Sequence, residues 1–179
     1  MTSPLFTLTE RVAPWVIFAP RDDRFLTDQL VVLRERGGLV VHLPARELME
    51  PERLFRAFAH RLGFPGYYGH NWDALVDCLA DLHGPSHGRT AVAVMVDDAD
   101  VLLDASHLPT LVSVLGQAAE RANLQLDADG EPTGISPIAQ HFVFSLTSTR
   151  ARDLLDGLEG PEQEVEVADP YLLVTLDMW

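Results

Sequence analysis

The segment Tyr67-Tyr68-Gly69-His70-Asn71-Trp72-Asp73-Ala74-Leu75-Val76-Asp77-Cys78-Leu79 collects most of the side chains in this chain that are capable of chemistry. Asp73, Asp77 and Asp81 recur at every fourth residue, which aligns them along one face of a helix. Like charges at that spacing cost a helix about 0.2–0.5 kcal/mol per pair, and no Lys or Arg lies within the segment to offset them. Asp73, at the helix start, is favoured by the positive end of the macrodipole; Asp77 and Asp81 lie beyond its reach. A row of carboxylates rising about 6 Å per four residues has a pitch comparable with that of phosphates on an extended nucleic acid strand. Such a row can therefore fill a basic pocket built for a polyanion. The same residue types admit three other readings: a solvated acidic face, a carboxylate pair for acid–base work, and, with His70, a metal site.

These carboxylates must be held by a short helix, because Trp72, Leu75, Val76, Leu79 and Leu82 recur at helical spacing and form a stripe that should face a core. The helix is expected to stop near His83-Gly84-Pro85. Around it, apolar runs bounded by Pro and Gly predict strands at 15–19, 39–43, 90–96, 142–146 and 171–176. Helices are predicted over 24–36 (capped by Asp22 or Asp23, with Phe25, Leu26, Leu30 and Leu33 inward), from Pro51 onward (Leu54, Phe55, Phe58 and Leu62 inward), over 108–122, and near 152–158. Helices alternating with apolar strands imply an α/β fold: a mainly parallel sheet with three core strands plus extra terminal strands, and helices packed against it. Residues 123–137, rich in Gly, Pro and Asp, read as an irregular insertion, and Glu159 to Asp169 as a solvated acidic loop.

Composition narrows the function classes. With 179 residues and 47% hydrophobic content the chain can bury a real core. A net charge of −14 disfavours direct binding of nucleic acid, which needs clustered cations, and favours encounter with a basic protein. A single cysteine permits no internal disulfide, and Cys78, between the apolar stripe and the Asp face, reads as a buried structural thiol. The N-terminus lacks the pattern of a secretory signal, and no apolar run has the length of a membrane span, so a cytoplasmic, non-membrane protein is expected.

Other candidate sites are weak. His83 and His87 with Asp81, and His70 with Asp73, are metal-ligand types without a recognised spacing. Asp97, Asp98, Asp100 and Asp104 lack the Gly and terminal Glu of a calcium loop, and should end a strand and cap the next helix. Gly37-Gly38 lacks the other positions of a phosphate loop. No cofactor is expected, and the chain reads as a non-enzyme.

Pro65, Tyr67-Tyr68-Gly69, Asn71, Asp73-Ala74-Leu75 and Asp77-Cys78-Leu79 together resemble the signature of the barstar family, intracellular inhibitors of barnase-type ribonucleases. The likeness is sharpest over residues 38–83 and continues in element order to about 147. It implies a division into a strand–helix extension (1–37), a barstar-like domain (38–147) and a C-terminal extension with a strand (148–179). It also implies that a helix and its preceding loop plug the active site of a basic ribonuclease in a 1:1 complex formed by a monomer. By that resemblance Asp77 matches the main anchor in the enzyme's phosphate pocket and Asp73 a second contact. Tyr67 matches a tyrosine that packs on the catalytic His, and Tyr68 a more structural one. Gly69 and Asn71 match the loop across the substrate groove. His70, Trp72 and Val76 differ from the best-known member, which points to a different cognate enzyme or grip. The family's glutamate contact on its third helix falls nearest Gln117, with Glu120 a turn away. Rival readings are an immunity protein against a non-ribonuclease toxin, a metal-dependent hydrolase using His70, Asp73 and Asp77, and an adaptor for another basic protein.

Overall fold

The computed structural model describes residues 5–81, 88–127, 129–134, 136–158 and 162–176. Its elements, in chain order, are β1 (Val16–Pro20), α1 (Arg24–Glu35), β2 (Leu39–Pro44), α2 (Pro51–Leu62), α3 (Trp72–Asp81), β3 (Ala91–Asp97), α4 (Leu108–Leu124), β4 (Ala139–Leu146), the single turn α5 (Leu155–Leu158), β5 (Gln163–Ala168) and β6 (Tyr171–Leu176). Leu82, the expected stop at His83-Gly84-Pro85, His87 and Glu159 lie outside the described residues.

Six strands form one sheet in the order β2-β3-β4-β1-β6-β5. β2, β3, β4 and β1 are mutually parallel, whereas β6 runs antiparallel to β1 and β5 antiparallel to β6. The fold is thus α/β with a mainly parallel sheet, extended at one edge by strands from both termini. β4 is buried along its whole length, the expected state of a strand covered on both faces. Ile17 of β1 pairs with Val143 on one side and Leu173 on the other, so the N-terminal strand is interior to the sheet.

The pleat sends alternate residues to opposite faces and creates two cores. Val92, Val94, Val96, Phe142 and Phe144 pack with the apolar faces of α2, α3 and α4. Ala91, Ala93, Met95 and Val143 pack instead with Leu26 and Leu33 of α1 and with Phe6 and Leu8. The terminal helix α1 therefore lies on the sheet face opposite α3. α1 begins where the Asp23 carboxylate accepts the Leu26 N–H at 2.8 Å; the Tyr171 hydroxyl donates to the same carboxylate at 2.6 Å. α2 starts with Pro51 in its first turn and ends at Gly63, whose φ of 65° favours glycine.

Two local expectations are corrected. Within the segment read as a solvated acidic loop, Gln163–Ala168 form β5, with Val165 packed against the core and Glu164 and Glu166 exposed. An edge strand needs only one buried side, so its outward charges masked its alternation. The aspartates after β3 do not cap α4, whose start lacks a side-chain cap. Asp100 instead accepts the backbone N–H groups of Thr147, Ser148 and Thr149 at 2.7, 3.1 and 2.8 Å, tying down the loop after β4. Burial opposes the Asp100 charge, but these hydrogen bonds outweigh it and hold the carboxyl well below the usual range. Within the insertion after α4, Asp127 Oδ1 accepts the N–H groups of Asp129 and Glu131, both at 2.9 Å, and Leu126 bridges Pro132.

Candidate functional site

The loop before α3 is built by its own sequence. The Tyr68 N–H donates to the Pro65 carbonyl at 3.0 Å, closing a turn that leaves Tyr67 at its tip, 77% exposed. His70 takes a left-handed conformation (φ 51°), and its ring lies 4.6 Å from that of Tyr68. Asn71 caps the helix: its Oδ1 accepts the Ala74 N–H at 2.8 Å, and its Nδ2 donates to the Gly69 carbonyl at 3.3 Å. A Cβ on Gly69 would approach Asn71 Nδ2 to 3.2 Å, so glycine is favoured there by close approach. Gly69, His70 and Asn71 are all exposed.

Asp73, Asp77 and Asp81 are exposed along α3, while Leu75, Val76, Cys78 and Leu79 are buried beneath them. Among the described residues Asp73 makes no ion pair or hydrogen bond. Asp77 does: Arg121 Nη1, from the last turn of α4, donates to its Oδ1 at 2.8 Å. Sequence reading passed over Arg121, looking to Gln117 and Glu120 on the same helix. The available signal was its place four residues after Gln117, on the same side of α4. Gln117 itself donates to the Ser113 hydroxyl at 3.2 Å, and burial pushes the Glu120 carboxyl up.

Two of the expected contact residues turn inward. Val76, read both as a core residue and as part of a contact face, is 8% exposed and belongs to the core; its helix position beside Leu75 and Leu79 decides for packing. Tyr68 is buried edge-on to Phe64, with ring centroids 5.0 Å apart, and its hydroxyl finds no hydrogen-bond partner among the described residues. Burial, and secondarily Cys78, raises the Tyr68 phenol above its ordinary range. Trp72 is half-buried, its ring edge-on to Phe55 at 4.9 Å, so only part of the indole is presented.

What this surface can do is bind. Burial, Asp81 and Asp77 raise the Cys78 thiol, which keeps it protonated and a poor nucleophile. Among the described residues no group of three His, Cys, Asp or Glu could hold a metal ion, so His70, Asp73 and Asp77 do not converge on one. Nor is any helix among them long and apolar enough to cross a membrane. The site instead places an aromatic tip, a capped helix start and an acidic face on one continuous stretch of chain.

Residues 39–135 match the family model described as barstar (barnase inhibitor). No individual curated protein matches the chain. The matched range spans more than half of the sequence and contains β2, α2, α3, β3 and α4. The chain belongs to the barstar family, whose members are inhibitors rather than enzymes.

Proposed function

Taking barstar-family membership as the premise, we propose that this protein inhibits a basic ribonuclease of the barnase type by occupying its active site with α3 and the loop before it. Asp77 and Asp73 meet the cations that otherwise hold RNA phosphates. Tyr67 packs on the catalytic histidine side, and Gly69, His70, Asn71 and the outer part of Trp72 fill the groove. Tyr68 and Val76 support this surface from below. The protein acts in the cytoplasm as a monomer that forms a 1:1 complex, needs no cofactor, and pairs with an enzyme that its host must be protected from.

One observation carries the reading: Asp73 and Asp77 are exposed on the same helix that follows the exposed Tyr67 tip, with a packed core directly beneath. Among the described residues, the terminal elements leave Asp73 and Asp77 exposed. A helix-mounted carboxylate is already ordered before docking, so binding loses little conformational entropy.

The test is inhibition of RNA cleavage by barnase, with dissociation measured for Asp77→Asn and Glu162→Gln. Losing a carboxylate buried against cations costs about 2–5 kcal/mol, mostly as faster dissociation; barstar complexes are themselves the standard example behind that scale. Glu162, exposed just before β5, should change only the association rate, by about twofold or less. Equal losses for the two variants overturn the assignment of α3 as the inhibitory face.

A further inference from the structure

Asp77 is not a bare anchor. Arg121 Nη1 lies 2.8 Å from its Oδ1, while its Oδ2 has no partner among the described residues. The two side chains differ in freedom: Arg121 is 27% exposed and Asp77 66%. Arg121 also has its Nε buried, without a partner among the described residues, so its stem lies against the protein rather than extended into solvent. The more fixed side chain thus holds the more mobile one.

Resting on the inhibitor reading above, we infer that Arg121 is a positioning residue that fixes the Asp77 carboxylate by one oxygen and presents the other to the partner. This arrangement restricts which cations can use the anchor. An arginine fork needs both carboxylate oxygens; one acceptor site of Oδ1 is already engaged by Arg121, so a fork must share that oxygen, whereas Oδ2 is open among the described residues. The partner's basic pocket therefore engages chiefly Oδ2 and leaves room beside Oδ1 for the Arg121 guanidinium. Arg121 simultaneously cancels one negative charge at the centre of the acidic face, which slows encounter with a basic surface.

The two effects have opposite kinetic signs, which makes them separable from a purely structural role. With barnase as the probe, Arg121→Gln should raise the association rate about twofold through charge and raise the dissociation rate about five- to tenfold through loss of positioning. In the Asp77→Asn background the same substitution should leave dissociation unchanged, giving strong coupling in the double-mutant cycle. Arg121→Lys, which keeps the charge but not the planar donor, should fall between. Arg150→Gln removes one cation from an exposed pair with Asp153 and should not alter dissociation. Dissociation that is unchanged in Arg121→Gln and Arg121→Lys, or that rises equally with and without the Asp77 carboxylate, overturns the positioning role alone. Wild-type protein that leaves barnase uninhibited overturns the inhibitor reading and this inference with it.

Discussion

Tyr67→Ala separates a contact residue from a structural one, because the two tyrosines of the loop differ so sharply in exposure. Tyr67 is 77% exposed and Tyr68 is 5% exposed. A tyrosine that buries its full surface removes about 150–250 Å² from water. With three quarters of Tyr67 still in solvent, docking can bury roughly 130 Å², or about 3 kcal/mol at about 25 cal/mol per Å². Ordering the side chain costs about 1 kcal/mol of this. The remaining 2 kcal/mol or so corresponds to about a 30-fold rise in Kd. In the free protein the same change removes almost no buried area, so urea denaturation should shift by less than about 0.5 kcal/mol. Tyr68→Phe supplies the contrast. Its hydroxyl is buried without a partner among the described residues, so removing it should leave stability equal or higher by up to about 1 kcal/mol. Inhibition should be unaltered. Kd is read by titrating ribonuclease activity and stability by urea unfolding. If Tyr67→Ala weakens the fold by more than about 1 kcal/mol yet inhibits as well as wild type, both the exposure argument and the contact role fail.

Asn71→Ala should cost about 1 kcal/mol of stability by removing the cap on the Ala74 N–H, whereas Asn71→Asp should keep most of it; urea denaturation measures both. Stability should also fall on acidification through His141, which is fully buried, donates from Nε2 to the Val12 carbonyl and has no partner for Nδ1 among the described residues. Burial depresses its pKa from 6.5 to about 4, the Val12 bond opposing only in part. The unfolded chain therefore takes up the proton first. The contribution is intact above the unfolded value of about 6.5 and is lost progressively toward 4, about 3 kcal/mol in full. His141→Gln should lack this component, so the wild type's stability relative to that variant should drop by most of that amount between about pH 7 and about pH 4.5. An unchanged difference between the two across that range counts against neutral burial of the ring.

The elements that carried a strong period or a clear boundary were readable from the sequence. α2 was marked by Pro51 and its apolar spacing, α3 by its apolar stripe, and β3 and β4 by apolar runs that need cover on both faces. What escaped depended on partners distant in the chain. β5 alternates Glu and Val, but its pairing with β6 was needed to tell strand from loop. Asp100 finds its donors 47 to 49 residues away, which no local capping rule can reveal. The acidic face was recognisable as a face, yet its one counter-charge arrives from α4. Trp72 and Val76 fell on the border of the apolar stripe, where helix periodicity cannot decide between contact and core; Phe55 and the sheet decide it.

Among the described residues the terminal strands bear on the candidate site while Asp73 and Asp77 stay exposed. If β1 were absent, β4 would expose its backbone along one side; Ile17 and its neighbours pair there, and β6 and β5 carry the sheet outward to an edge bearing exposed Glu164 and Glu166. Charged edges resist pairing with further strands, so the addition closes the sheet instead of moving the hazard elsewhere. The same addition reaches α4: a Cβ on Gly116 would lie 3.3 Å from the Leu176 side chain of β6, so helix and strand are in close approach. α4 is thereby clamped between α3, through Arg121 and Asp77, and the C-terminal strand. A surface that imitates a phosphate chain gains affinity only to the extent that its carboxylates are held before the partner arrives. On the proposed reading, packing behind α4 supports the Arg121 guanidinium that holds the Asp77 carboxylate.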